Sequence, residues 1–252
     1  MLNYIRADYK RVISRIPRIV FVLLYQAAFV IFVLIKHNRA AGNYTSVTLI
    51  DNASTLFGTW FIVVVCLIDF IQSFSFDFRA KTIQVALGIG ISRRDVILSK
   101  LAQTALVMLT DFIITFGTFC ILAAVLGLPL AGHQLNFVLC TGLGIVALAI
   151  CSVALLLPLV FRTQNMLLSM VGYLFLSTGW ITSWVRDLSR MGPEFIARLQ
   201  LEKYCYDKCI ALVQSNAIQH TFQLWPVIGA IAWFTLGIYI TWLAFRKMEL
   251  DF

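Results

Sequence analysis

Six long apolar runs dominate the sequence, at residues 19–35, 56–76, 101–126, 135–157, 166–184 and 224–245. A helix needs about 20 apolar residues to cross the hydrocarbon of a bilayer, so each run reads as one membrane-spanning helix. The first is short, and the flanking Arg18 and Lys36 are expected to snorkel to the two interfaces. The runs are continuous rather than alternating, which argues against a membrane β-barrel. Composition agrees: 60% of residues are hydrophobic and 13% charged, against roughly 25% charged in soluble domains, and the mean hydropathy is +0.88. This argues against a soluble globular protein and against a disordered chain. Six spans would take roughly half of the chain at about 20 residues each, so residues 1–252 read as a single all-α membrane domain.

Charge sets the expected orientation. The formal net charge is +8, from 20 Lys and Arg against 12 Asp and Glu. With the N-terminus inside, the inner segments collect Arg6, Lys10, Arg11, Arg15, Arg18, Arg79, Lys81, Arg93, Arg94, Lys100, Arg162, Arg246 and Lys247, whereas the short outer loops hold only Lys36 and Arg39. The positive-inside rule therefore places both termini in the cytoplasm. A basic balance in such a chain points to anionic lipid rather than nucleic acid. Before the first span, Leu2, Ile5, Tyr9, Val12, Ile13 and Ile16 fall on one helical face and the basic residues on others. Residues 1–18 thus read as an amphipathic helix lying in the interface.

Residues 77–100 are too long for a simple hairpin between two spans. Residues 81–87 can form a short helix, and Gly88 and Gly90 can end it because glycine tolerates the left-handed conformation of a helix stop. Ser92 can cap the next helix, with Asp95 as its capping partner. The inner side then presents a helix–turn–helix corner flanked by positive charge.

This stretch resembles the membrane subunits of type-2 ABC transporters, the ABC-2 permease family. The family carries an acidic residue after the second span, then a short amphipathic helix, then a Gly-x-x-x-Ser/Arg-Arg-x-x-Ile/Leu-x-x-Lys passage. Here that passage runs from Gly88 through Ser92, Arg93 and Arg94 to Lys100, and Asp77 with Arg79 stands where a glutamate is more usual. The resemblance extends to the interfacial helix, the six spans and the long segment before the sixth. It implies a permease subunit of a bacterial ABC exporter in the plasma membrane, acting by alternating access as a dimer of identical or paralogous permeases. It also implies two cytoplasmic ATP-binding subunits that carry ATP and Mg. Asp77, Arg79, Lys81, Thr82, Ile83, Gln84, Leu87, Gly88, Arg93, Arg94 and Lys100 would form the coupling surface toward them. No Gly-x-x-x-x-Gly-Lys-Ser/Thr run is present, so no ATP hydrolysis and no cofactor are expected in this chain. By the same resemblance the substrate is an amphipathic or hydrophobic molecule such as an antimicrobial or toxin peptide, moved for export or self-immunity. Drugs, lipids or sodium are alternatives.

Other residues need separate readings. Asp69 and Asp111 fall inside the second and third spans, where an acid is costly unless paired, protonated or facing a polar cavity. Both fall about 10–15 Å from the inner ends at 1.5 Å per residue, at a level they could share with Gln72 and Gln103. They read either as structural acids pairing with Arg, Gln or backbone at the inner rim, or as a polar cavity wall or a proton- or cation-sensitive element. No Lys or Arg is expected deep in the spans. An intramembrane enzyme using Asp69 and Asp111 is the alternative class, weakened because neither sits in a recognisable catalytic run and no histidine lies in a span. Residues 185–223 hold nine charged residues and apolar residues at helical spacing, which suggests short cap helices in an extracellular loop. Cys205 and Cys209 are four apart, where a disulfide would be strained, and with His220 they match no familiar zinc pattern, so no metal is expected. Pro158 and residues 162–165 suggest a tight inner turn between the fourth and fifth spans.

Overall fold

The apolar runs fold as helices, and among the described residues of this computed structural model no strand occurs; these are 2–40, 43–79, 82–88, 90–191 and 200–246. The order is α1 (Leu2–Ile13), α2 (Ile16–Arg39), α3 (Ser46–Thr55), a π-helical stretch (Leu56–Cys66), α4 (Leu67–Arg79), α5 (Thr82–Gly88), α6 (Arg93–Val125), α7 (Gly132–Thr163), α8 (Met166–Ser177), α9 (Trp180–Met191), a 3₁₀ turn (Leu201–Tyr204), α10 (Tyr206–Ile218) and α11 (Leu224–Arg246). Helices α2, α6, α7 and α11 are each long and apolar enough to cross a bilayer. At 33 residues, α6 is about 50 Å long, more than the ~30 Å hydrocarbon layer.

Two of the expected spans are not single straight helices. Ser46–Gly58 and Trp60–Phe74 meet at 44°, and Met166–Ser177 and Trp180–Met191 meet at 59°. Among the described residues there are thus four candidate spans, or up to six if each bent pair counts as one. In the first pair, the wider winding presents backbone carbonyls sideways: Tyr25 donates its hydroxyl to Leu56 O and Tyr173 to Ile62 O, each at 3.2 Å. Side chains that enter the helical ladder in this way are a recognised cause of bends. In the second, Thr178 Oγ1 bonds back to Leu174 O at 2.6 Å and Gly179 adopts a φ of +72°, so the helix stops and restarts in a new direction.

Helix α7 is the centre of the bundle, packed against α6, α8, α10, α11 and the π-helical stretch. Its end follows the expected tight turn. Gln164 takes a left-handed conformation, and Asn165 Oδ1 caps α8 by accepting from the Leu167 and Leu168 amides at 3.0 and 3.3 Å. The contact with α11 is close because Gly237 faces the backbone of Ala154; a methyl there would lie 2.8 Å from the Ala154 carbonyl. Phenylalanines, spread over every span in sequence, collect into two seams. Phe57 meets Phe29, Phe61, Phe112 and Phe119 with ring centroids 5.9–6.4 Å apart. Phe70 stacks on Tyr173 at 5.5 Å, and Phe161 on Phe245 at 4.8 Å. These rings fill the interior rather than line a channel. Large apolar side chains on α2, such as Leu23, Leu24 and Ile31, remain exposed, as suits contact with lipid or another membrane subunit.

Candidate functional site

The site grows from the corner formed by α4, α5 and α6. Helix α5 ends at Gly88. Gly90, with a φ of +90°, donates its amide to Leu87 O at 3.1 Å, closing the turn. Ser92 then caps α6, its hydroxyl accepting from the Asp95 amide at 3.1 Å, the arrangement that a serine before a helix favours. Ile83 is buried, Leu87 half-buried, and Val85 points outward, 61% exposed. Lys81 and the side chains of Asp77, Arg79, Thr82 and Gln84 lie outside the described residues.

The basic residues that follow divide by role. Arg93 reaches across to α11 and donates to the carbonyls of Phe245 and Arg246 at 2.5 and 3.0 Å, a cation set beside helical carbonyls. Arg94 is exposed, at the mouth of a groove between α6 and α11 lined by Ile97, Leu98, Tyr239 and Trp242. Lys100 departs from expectation. It is 0% exposed, its ammonium on the Asp8 carboxylate and 3.3 Å from Gln103 Oε1. A lysine so enclosed cannot present itself to a partner, and it serves to fix α1 on α6. Arg11 joins the same carboxylate, and Tyr9 meets Thr110 at 2.8 Å. Val12 completes the apolar side of this contact, with no exposure.

The second departure lies deeper. Arg18 does not snorkel. It turns into the bundle, 4% exposed, and its guanidinium bridges Asp69 and Asp111, each 1% exposed. Nε lies 3.3 Å from Asp69 Oδ1, and Nη2 holds Asp111 Oδ1. Helix α2 thereby supplies the cation that the sequence appeared to lack at this depth. Gln26 adds a 2.7 Å bond to Thr115 Oγ1, one turn beyond Asp111 on α6. Gln72 and Gln103 do not reach the pair. The Gln72 carbonyl accepts from Arg15 at 3.4 Å, and Gln103 sits with Lys100, about 12 Å down α6 from Asp111 at 1.5 Å per residue. Charges taken out of water this fully are tolerable only when paired and hydrogen-bonded. Here the pairing joins three helices.

The opposite end of the bundle is built differently. The start of α10 wedges between α7, α8 and α11, where Tyr206 and Ile210 pack on Cys151, Leu176 and Trp233. Tyr206 donates to Leu176 O and Trp233 to Tyr204 O, the latter at 2.6 Å. Thr182 on α9 bonds the Asp207 carboxylate. Cys205 and Cys209 are free thiols, and burial pushes both up from the ordinary thiol range, which makes them poor nucleophiles and poor metal ligands. Among the described residues no group of three His, Cys, Asp or Glu side chains could hold a metal.

Sequence reasoning missed Arg18 and Asp8. One signal was available for Asp8: it is the only acid before Asp51, set among Arg6, Lys10 and Arg11.

With this geometry in place, the comparisons become informative. The family model described as ABC-2 family transporter protein matches residues 10–245. The chain belongs to the ABC-2 transporter family. No curated protein matches the sequence. The ABC-2 match takes in the helices from α2 to α11 up to residue 245 and only the last four residues of α1, so the Arg18, Asp69 and Asp111 cluster and the α5 corner lie within the family domain, with Asp8 just outside it. ABC-2 membrane proteins are components of transport systems, typically not catalytic themselves, and normally work with an ATP-binding subunit.

Proposed function

We propose that the chain is the permease subunit of an ATP-driven exporter, that α5 seats in a cytoplasmic ATP-binding subunit, and that the cargo is an amphipathic or hydrophobic molecule such as an antimicrobial or toxin peptide. The observation that carries the reading is the α5 corner within an ABC-2 domain: a seven-residue helix held between α4 and α6, with Val85 outward. ATP would favour one arrangement of the ATPase pair, and a ligand moves an equilibrium only through different affinities for its states. A rigid corner is the means by which that preference would reach the membrane. The ion pairs support this, because both helices leaving α5 are tied to the N-terminal segment, α4 through Asp69 and α6 through Asp111 and Lys100. Two such permeases, in the bacterial plasma membrane with both termini in the cytoplasm, would form the translocation path between them.

The test is purification of the tagged chain from membranes in mild detergent, with mass spectrometry of what accompanies it. An ATP-binding protein should copurify with the wild type and be lost with Val85→Asp, while the variant still elutes as a folded membrane protein. Absence of any ATP-binding protein with the wild type would overturn the reading. Vesicles holding the full complex then test the cargo. ATP-dependent movement of an amphipathic peptide is expected, and movement only of an unrelated solute would refute the peptide assignment.

A further inference from the structure

The Arg18 cluster is not neutral. One guanidinium faces two carboxylates, and Asp69 Oδ2 and Asp111 Oδ2 are both buried without a protein partner. The surrounding elements offer no second cation among the described residues. From α2, Arg15 turns to the Gln72 carbonyl and Gln26 to Thr115. From α6, Lys100 is engaged by Asp8, about 16 Å away along the helix at 1.5 Å per residue. On α1, Tyr9 bonds Thr110, and Arg11 lies on Asp8. The π-helical stretch contributes Cys66 and α8 contributes Tyr173, whose hydroxyl is given to Ile62 O. On α4, Ser73 and Gln72 follow Asp69. All of these are neutral or already directed elsewhere, so the three charges at Arg18 sum to minus one in a setting that penalises uncompensated charge.

The two carboxyl groups are held by one guanidinium, which keeps them side by side. We propose that Asp69 and Asp111 hold one proton between them, making the base of Arg18 a proton-binding site that joins α4 to α6. The proton resides on one carboxyl and is donated to the other. That single bond engages oxygens that Arg18 leaves open and brings the cluster to zero net charge. A hard metal cation fits less well, because it would sit against the guanidinium and needs six or more oxygen ligands in the case of calcium. Removing the proton restores the repulsion between two like charges on the two helices that flank α5. The occupancy of the site therefore biases the spacing of those helices. None of this depends on the transport reading, since it concerns the folded chain alone.

Infrared spectroscopy of the purified protein in lipid tests the proposal. At neutral pH the wild type should show the carbonyl band of a protonated carboxylic acid, shifted on exchange into D₂O. Asp69→Asn and Asp111→Asn should each lose it, because one remaining carboxylate beside Arg18 is neutralised by pairing and ionises. Either variant keeps Arg18 paired, so both should elute as folded protein. A second measurement needs no variant. The folded chain would hold a proton that the unfolded chain releases at an ordinary carboxylate pKa. Stability is then greatest at acidic pH and falls as pH rises through the titration of the site, with the band disappearing over the same range. A wild type without the band at neutral pH, or a band that survives in both single variants, overturns the proposal.

Discussion

The two ends of the bundle are held by different forces. At the end that carries α1, charged side chains far apart in sequence are drawn out of solvent and paired: Asp8 with Lys100, and Arg18 with Asp69 and Asp111. At the end that carries α10, short helices meet through glycine faces, aromatic rings and side-chain bonds to backbone carbonyls. Buried ion pairs are strongly directional and costly to break singly. Contacts over small residues and carbonyls change by smaller steps. The first end is therefore suited to move as one piece, and the second to rearrange internally.

The sharpest way to break this contrast is Arg18→Leu, which leaves two buried carboxylates without their cation. A loss of about 3–5 kcal/mol is expected, read as heat unfolding in detergent by circular dichroism. Restoring the balance with Asp69→Asn and Asp111→Asn in the same chain should recover most of it, because an uncharged cluster has nothing left unpaired. Next comes Lys100→Met, with an expected loss of about 3 kcal/mol, the lower part of the range because Arg11 still engages Asp8. Limited proteolysis should also show α1 cleaved sooner in that variant. Between the two ends, Gly237→Ala drives a methyl toward the Ala154 backbone, and overpacking of this kind costs about 1–3 kcal/mol. The smallest effect is that of Tyr206→Phe, which removes one bond to the Leu176 carbonyl for about 1 kcal/mol. Should Tyr206→Phe prove more damaging than Arg18→Leu, the contrast between the ends is wrong.

Local features were legible in the sequence, and pairings between distant residues were not. The stop at Gly88, the turn through Gly90 and the cap at Ser92 follow from preferences within a few residues, and the structure has all three. The apolar runs marked helices for the same reason. By contrast, Arg18 looks the same in sequence whether it reaches for lipid headgroups or turns inward, and its partners lie 51 and 93 positions away. Lys100 ends a recognisable motif, yet its burial depends on Asp8, 92 positions earlier. The break at Gly179 was hidden because a lone glycine is common within membrane helices. Beside the bend after Gly58, the Leu56 and Ile62 carbonyls accept from Tyr25 and Tyr173, partners that no reading of residues 56–76 contains.

The long separations carry a consequence for biogenesis. At about 5–20 residues per second, Asp111 leaves the ribosome roughly 5–20 s after Arg18. Until Asp69 follows, 51 positions after Arg18, α2 must reside in the membrane with its arginine uncompensated, and the pairing with both α4 and α6 can be completed only once the chain beyond α6 has begun to appear. The segment made first is thus among the last to settle, and an insertion intermediate trapped before Asp111 emerges should expose Arg18 to a membrane-impermeant labelling reagent that the finished protein excludes.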